Sequence, residues 1–155
     1  MDRATVFGEV AHTYDQLRPK YPAEMFDDLI AEAQLSTGSS VLEIGCGTGL
    51  ATTELVRRGF EVWAIDPDPR MLKVARERFP CDDARFIEGR FEDFSGGSSS
   101  FELVFAAGSW HWLDAGVALP LAASLLVHRN SPKCCNDPLT SQHILSGHPA
   151  SCSGR

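Results

Sequence analysis

A glycine-rich loop is the first place in the sequence where residue types and spacing suggest chemistry. Gly45, Gly47 and Gly49 alternate with single residues directly after an apolar run that begins at Val41. Glycines between a strand and a helix allow a sharp turn and let a ligand approach the backbone amides closely. The pattern therefore predicts a binding site for a nucleotide-like ligand at this loop.

The details of the loop separate one class of ligand from another. The dinucleotide fingerprint is G-x-G-x-x-G, whereas Leu50 stands where its third glycine would be. Glu43 would repel a pyrophosphate and favour a ligand that carries an ammonium group. Asp66 ends a second apolar run about 20 residues after Gly45, the spacing at which a carboxylate binds a ribose diol. Taken singly, the loop could be an ordinary turn and Asp66 a helix cap. Together they describe a site for S-adenosylmethionine better than one for NAD.

A second candidate for chemistry is the segment GSWHWLD, at residues 108–114. His111 is the only histidine in it and could accept a proton, while Trp110 and Trp112 could screen a reacting group from water. The alternative is that the tryptophans simply pack and leave the imidazole as a polar tip. We favour a pocket-lining role for this segment over a catalytic one for His111.

Strands and helices alternate along the residues that must position these groups. Buried-looking strands are predicted at residues 41–45, 60–66, 84–89 and 101–107, and helices at 22–35, 48–59, 67–79 and 114–127. Such alternation is typical of βαβ units on a parallel sheet, which predicts an α/β fold. In open α/β sheets the site lies beyond the carboxyl ends of the strands, where the glycine loop, Asp66 and GSWHWLD would meet.

The composition changes after Val127. Residues 128–155 are rich in Ser, Pro, Asn and Cys and show neither a strand-like run nor a helical period, so we expect a domain at 1–127 and a disordered tail at 128–155. The tail holds residues that invite a zinc interpretation: Cys134, Cys135, His143, His148 and Cys152. Adjacent cysteines are not the usual C-x₂₋₄-C knuckle, and no metal is predicted.

Charge and hydropathy exclude several classes of protein. The 155 residues carry a net charge of −7, from 14 basic and 21 acidic residues, which argues against general nucleic-acid binding. The apolar run at 117–127 is too short for a membrane span and contains a proline. The N-terminus lacks the apolar core of a secretory signal, and five irregularly spaced cysteines do not form a disulfide framework, so we expect a cytoplasmic protein.

Several motifs together resemble one enzyme family. VLEIGCGTGLAT resembles the first motif of the class I S-adenosylmethionine-dependent methyltransferases, and VWAIDPDPRML resembles their second. FIEGRFEDF and FELVFAAGSWHWLD are similar to the third-strand and fourth-strand segments of a small-molecule subgroup that includes trans-aconitate-methyltransferase-like proteins. FGEVAHTYDQLRPKYP is similar to the N-terminal cap of that subgroup. The resemblance implies a Rossmann-like three-layer sandwich with a mostly parallel sheet.

The resemblance also implies roles for individual residues. The cofactor-binding positions would be Glu43, Gly45, Cys46, Gly47, Gly49, Asp66, Pro67, Phe91 and Glu92. Arg90 stands where family members place an acidic or small residue against the adenine amino group. Glu92 is therefore expected there instead, or less favourably Asp93, with the Phe91 backbone facing the ring. Around the acceptor we expect Tyr14, Arg18, Tyr21, Trp110 and Trp112. Arg18 would meet a carboxylate of the cofactor or of an acidic substrate, or form a surface ion pair.

The family fold has about seven strands, of which this sequence shows four. We expect a truncated or frame-shifted methyltransferase whose last three strands are missing and whose fourth strand is an exposed edge. The expected function is methyl transfer from S-adenosylmethionine to a small-molecule acceptor, with activity impaired by the missing strands. One alternative is a non-catalytic remnant that binds S-adenosyl ligands. A less favoured alternative is an NAD-dependent oxidoreductase.

Overall fold

The computed structural model describes residues 21–81, 83–97 and 100–127, together with the backbone of residues 133–136 and 143–146. The four helices are α1 (Ala23–Ala33), α2 (Leu50–Arg57), α3 (Pro69–Arg78) and α4 (Ala115–Leu125). The six strands are β1 (Ser40–Ile44), β2 (Glu61–Asp66), β3 (Ala84–Glu88), β4 (Leu103–Phe105), β5 (Lys133–Asn136) and β6 (His143–Ser146). Short 3₁₀ turns lie at Phe91–Asp93 and Trp110–Trp112.

One sheet joins all six strands in the order β3-β2-β1-β4-β6-β5. The four strands from β3 to β4 run parallel, with Ile44 opposite Ile65 and Glu43 opposite Phe105. This arrangement confirms the predicted α/β fold and its parallel sheet. It also gathers the carboxyl ends of β1, β2, β3 and β4 along one edge of the sheet.

The expectation that no strand follows Val127 is wrong for two short segments. β6 pairs antiparallel with β4, from Leu103 opposite Ser146 to Phe105 opposite Ile144, and β5 pairs antiparallel with β6. The physical reason is that the free side of β4 presents unpaired backbone groups, which a short antiparallel ribbon can satisfy without any long apolar run. The predicted exposed edge at β4 is therefore covered. The division of the chain at Val127 stays a prediction.

Two hydrophobic cores sandwich the sheet. On one face of the sheet, Val41 packs with Phe26 of α1, Leu55 of α2 and Phe79 after α3. On the other face, Leu42 packs with the buried residues of α4. Successive residues of a strand point to opposite faces, so the apolar run of β1 serves both cores. Burying side chains of this size stabilises the fold by about 1.5–3 kcal/mol each. The three layers match the sandwich that the resemblance implies.

Local signals set the helix boundaries that shape the site. Asp68 caps α3 by accepting a hydrogen bond from the Arg70 backbone N–H at 2.9 Å, with Pro69 in the first turn. Gly49 precedes α2 with a φ of +81°, a conformation that glycine adopts at little cost. In the part of the chain that the structure describes, no helix is both long and apolar enough to cross a membrane.

Candidate functional site

The glycine loop turns tightly at the end of β1 and is anchored to β2. The backbone N–H groups of Gly45 and Cys46 both donate to the Ile65 carbonyl, at 2.8 and 3.2 Å. The Gly47 N–H donates to Oδ2 of Asp66 at 2.8 Å. Gly45 and Gly47 have φ values of +68° and +56°, which explains why glycine stands at both positions.

Asp66 is the best-defined polar group of the site. Its Oδ2 accepts from Gly47 and its Oδ1 accepts from the Asp68 N–H at 2.9 Å, so two backbone donors orient the carboxylate. Burial raises the pKa of Asp66, and the hydrogen bonds from the Asp68 and Gly47 amides oppose part of that shift. Each carboxylate oxygen has a second lone pair, so a vicinal diol in the cleft could still donate to Asp66.

A cleft opens beyond the carboxyl ends of the four parallel strands, and Asp66 lies in its wall. The predicted residues that line it are Gly45, Gly47, Asp66, Pro67, Phe91, Glu92 and Trp112. A Cβ added at Gly47 or Gly89 would meet no protein atom within 4 Å, so both glycines leave room for a ligand beside the backbone. Met71, Phe91 and Leu113 contribute apolar surface. These features fit a nucleoside ligand.

Glu43 faces a second, smaller cavity on the other side of the glycine loop. Its carboxylate is buried and accepts a hydrogen bond from the Thr52 hydroxyl at 2.6 Å. Cys46 and Tyr21 line the same cavity, and Gly45 borders both cavities. Burial and the nearby carboxylates of Glu43 and Asp66 raise the pKa of the Cys46 thiol, which therefore stays neutral.

Gly49 lines neither of these two cavities. A Cβ there would approach Ala75 and Phe79 at 3.3 Å, so this glycine serves the packing of α2 against α3.

The Tyr21 hydroxyl donates to the Ala107 carbonyl at 3.0 Å, which ties the chain before α1 to the segment after β4. Gly49 and Tyr21 therefore contribute by holding elements together.

Of the three residues predicted in the GSWHWLD segment, Trp112 lines the cleft, whereas Trp110 and His111 do not. His111 is exposed and does not line the cleft, and its ring lies 4.7 Å from the Trp112 ring. Trp110 packs against the core below α4, whereas Trp112 and Leu113 line the cleft. The geometry of this segment supports a pocket-lining role for Trp112. It lends no support to a catalytic role for His111.

The residues after β3 hold a small polar network at the cleft. Glu92 accepts a hydrogen bond from the Asp114 N–H at 3.1 Å, and its other oxygen lies 3.9 Å from Nε of Arg90. The Phe91 ring is buried in the core, so only its backbone can face a ligand. Arg90 lines the cleft, but Asp93 does not. The adenine contact proposed for Glu92 stays a prediction.

Sequence reasoning missed several residues of the cleft wall. Asp68, Met71, Gly108 and Ser109 line it as well as the predicted residues. Burial of Asp68 favours its neutral form, but the hydrogen bonds from Arg70 outweigh this and hold the pKa below its ordinary value. The signal that could have found Ser109 was its place in GSWHWLD. Nothing in the local pattern marks Met71, whose spacing is that of an ordinary apolar helix position.

Some predicted residues lie outside the described part of the chain. Tyr14 and Arg18 do so, as do the side chains of the cysteines and histidines considered for zinc. Within the described residues no group of three or more His, Cys, Asp or Glu side chains is arranged to hold a metal ion.

Comparison with known proteins identifies the family of the chain. A family model described as a methyltransferase domain matches residues 41–127, more than half of the 155-residue chain. An uncharacterized methyltransferase of Mycobacterium tuberculosis is 38% identical over 125 residues, covering 81% of this chain and 49% of the relative. A probable S-adenosylmethionine-dependent methyltransferase of Saccharomyces cerevisiae is 33% identical over 123 residues, covering 76% of this chain and 42% of the relative. The chain thus spans about half the length of the curated relatives that it matches.

Solved structures share the fold. A putative S-adenosyl-L-methionine-dependent methyltransferase of Methanococcus maripaludis superposes with a TM-score of 0.69 at 20% identity, covering 77% of this chain and 58% of that one. A methyltransferase of Thiobacillus denitrificans, solved with S-adenosyl-L-homocysteine, superposes with a TM-score of 0.61 at 21% identity, covering 81% and 52%. On the strength of the domain match, the chain belongs to the methyltransferase domain family.

Proposed function

We propose that the cleft binds S-adenosylmethionine and that the chain transfers the cofactor's methyl group to a small-molecule acceptor. The observation that carries this proposal is the Asp66 carboxylate, oriented by two backbone donors in the wall of a cleft that two glycines leave open. The arrangement suits a ribose diol, and among the described residues that line the cleft Arg90 is the one cationic side chain, which is too few for a pyrophosphate. Glu92 and Arg90 border the same cleft and would meet the adenine end.

The proposed roles of the residues follow from their positions. Asp66 would accept hydrogen bonds from the ribose hydroxyls, while Met71 and the Phe91 backbone would flank the base. Glu43, in the neighbouring cavity, would face the ammonium group of the methionine half across Gly45. Trp112 and Leu113 would shield the transfer from water at the mouth of the cleft.

The bound cofactor supplies a sulfonium methyl group for in-line displacement, so the protein mainly has to align the acceptor. A general base is needed only for an acceptor that carries a proton to be removed. The net charge of −7 favours a small acceptor over a nucleic acid. The resemblance to trans-aconitate-methyltransferase-like proteins supports a small acid in particular.

The test is a calorimetric titration of the full chain with S-adenosylhomocysteine and, separately, with NAD. We expect heat of binding with S-adenosylhomocysteine alone. Binding of NAD alone would contradict the proposal and favour an oxidoreductase. A methyl-release assay over small carboxylic acids and phenols then separates an enzyme from a protein that only binds the cofactor. Binding without turnover of any acceptor in the panel would favour the second.

A further inference from the structure

The glycine loop is anchored on two sides. On the β2 side the anchors are the Ile65 carbonyl and the Asp66 carboxylate, which accept from backbone N–H groups of the loop. On the β4 side the anchor is a side chain. The Ser109 hydroxyl donates a hydrogen bond to the carbonyl of Ile44, the last residue of β1 before the loop.

This bond extends the contact between β1 and β4 beyond the sheet itself. The backbone pairing of the two strands ends at Glu43 opposite Phe105. Ser109 lies further along the chain than Phe105, in the segment that also carries Trp112 and Leu113 into the cleft. A movement of that segment therefore reaches the last residue of β1 through the Ser109 hydroxyl.

Ser109 also packs directly against the first glycine of the loop. A Cβ added at Gly45 would overlap both Cβ and Oγ of Ser109, so the serine side chain fills the space that a larger residue at 45 would need. Gly45 has a φ of +68°, and both residues line the main cleft. The Ser109 side chain thus limits where Gly45, and the amides that follow it, can lie.

From these contacts we propose that Ser109 is a positioning residue for the cofactor loop. It fixes the loop from the β4 side, so that the Gly45–Gly47 backbone is held ready for the cofactor, and it links this loop to the segment that faces the acceptor. The inference rests on the proposed function, since it concerns binding at the same cleft.

The experiment compares Ser109→Ala with Ser124→Ala in the full chain. The Ser124 hydroxyl donates to the Leu121 carbonyl at 2.7 Å within α4, so its loss removes the same kind of bond from an exposed position. Loss of one such hydrogen bond predicts that Ser109→Ala raises the dissociation constant for S-adenosylhomocysteine by about two- to tenfold. Ser124→Ala should leave it unchanged. Ser109→Thr retains the hydroxyl and should bind within about twofold of the wild type.

Two further readouts separate positioning from a general effect on stability. Amide hydrogen exchange should accelerate at residues 45–47 in Ser109→Ala and not in α4. The melting temperature of Ser109→Ala should fall only by the amount that the loss of one hydrogen bond explains. An unchanged dissociation constant in Ser109→Ala would overturn the inference, and so would equal weakening in the Ala and Thr variants. If the wild type itself fails to bind S-adenosylhomocysteine, the proposed function is wrong. If the wild type and Ser109→Ala bind it equally, only the inference is wrong.

Discussion

Two buried carboxylates, Asp66 and Glu43, lie on either side of the glycine loop. Each is oriented by its neighbours, Asp66 by two backbone N–H groups and Glu43 by the Thr52 hydroxyl. A buried carboxylate is costly unless it is hydrogen-bonded, so these contacts offset part of the cost of burying the two groups. The chemistry of the cleft therefore depends on a few residues whose protonation can be tested.

Ligand binding should depend on the ionisation of Asp66. Because its pKa lies above the ordinary 3.8, we expect affinity for S-adenosylhomocysteine to fall as the pH is lowered through a midpoint above that value. Asp66→Asn removes two charge-assisted hydrogen bonds to a diol and should weaken binding about ten- to a hundredfold at neutral pH. Its affinity should also lose this pH dependence. Calorimetry from neutral pH down to about pH 4 measures both effects.

The stability of the free protein should respond to Asp66 in the opposite direction. A carboxyl group whose pKa is raised in the folded state contributes stability that is fully present below its unfolded pKa and is lost as the pH rises through the folded value.

The exposed Asp28 provides the control for the binding experiment, and Asp28→Asn should keep the wild-type pH profile of binding. A profile in Asp66→Asn that matches the wild type would contradict the assignment of the ribose contact to this residue.

The helices and strands place Glu43 and Asp66 in two ways: side chains alternate between the two faces of a strand, and the chain turns into a helix cap. In β1 the side chain of Leu42 enters one core, while Glu43 on the opposite face reaches α2. At the end of β2 the chain turns through Pro67 into the cap of α3, which brings Asp68 back against Asp66. The strand–turn–helix units thus carry the site, and the Thr52–Glu43 hydrogen bond links β1 to α2.

The Thr52–Glu43 hydrogen bond should stabilise the fold measurably. Thr52 is fully buried, so Thr52→Val keeps the shape of the side chain while removing a donor to a buried carboxylate. We expect the free energy of unfolding to fall by about 1–3 kcal/mol, measured by urea denaturation.

The matched control for this prediction lies one residue further along α2. The Thr53 hydroxyl donates to the Gly49 carbonyl at 2.8 Å, a bond to the preceding helical turn that adds little stability. Thr53→Val should therefore change the free energy of unfolding by about 0.5 kcal/mol or less. Equal losses in the two variants would show that the link to Glu43 has no special weight.

At the scale of the whole molecule, the sheet is mixed. Four parallel strands bear the cleft, and β6 and β5 extend the sheet beyond β4 as an antiparallel pair. β4 has only three residues and borders the cleft through the segment that follows it. Its pairing on both sides therefore matters for the stability of the site as well as of the sheet.

Removal of residues 128–155 should destabilise the sheet from the β4 side. Without β6, backbone groups of β4 lose their partners and the strand becomes an edge. We expect a lower melting temperature and faster hydrogen exchange at the β4 amides that face β6. Exchange in β1 should change less, because β2 and β4 still flank it. Unchanged exchange at β4 would mean that residues 128–155 do not pair with it in solution.

The sequence by itself determined the βαβ framework, the glycine loop and Asp66. These features are local: a strand, the turn after it and the start of the next helix are continuous in the chain, and their patterns need no distant partner. The methyltransferase resemblance rested on the same continuous motifs, and the domain match confirms the family.

Only the tertiary structure decided which side chains from different strand–turn–helix units contact one another. It brings Trp112 rather than His111 to the cleft, turns Glu43 to a second cavity, and seats Ser109 against Gly45. It also pairs β6 with β4, which composition had not predicted. The physical reason is that strands distant in sequence become neighbours only through the order of the sheet, and a contact between their ends leaves no periodic trace in either segment.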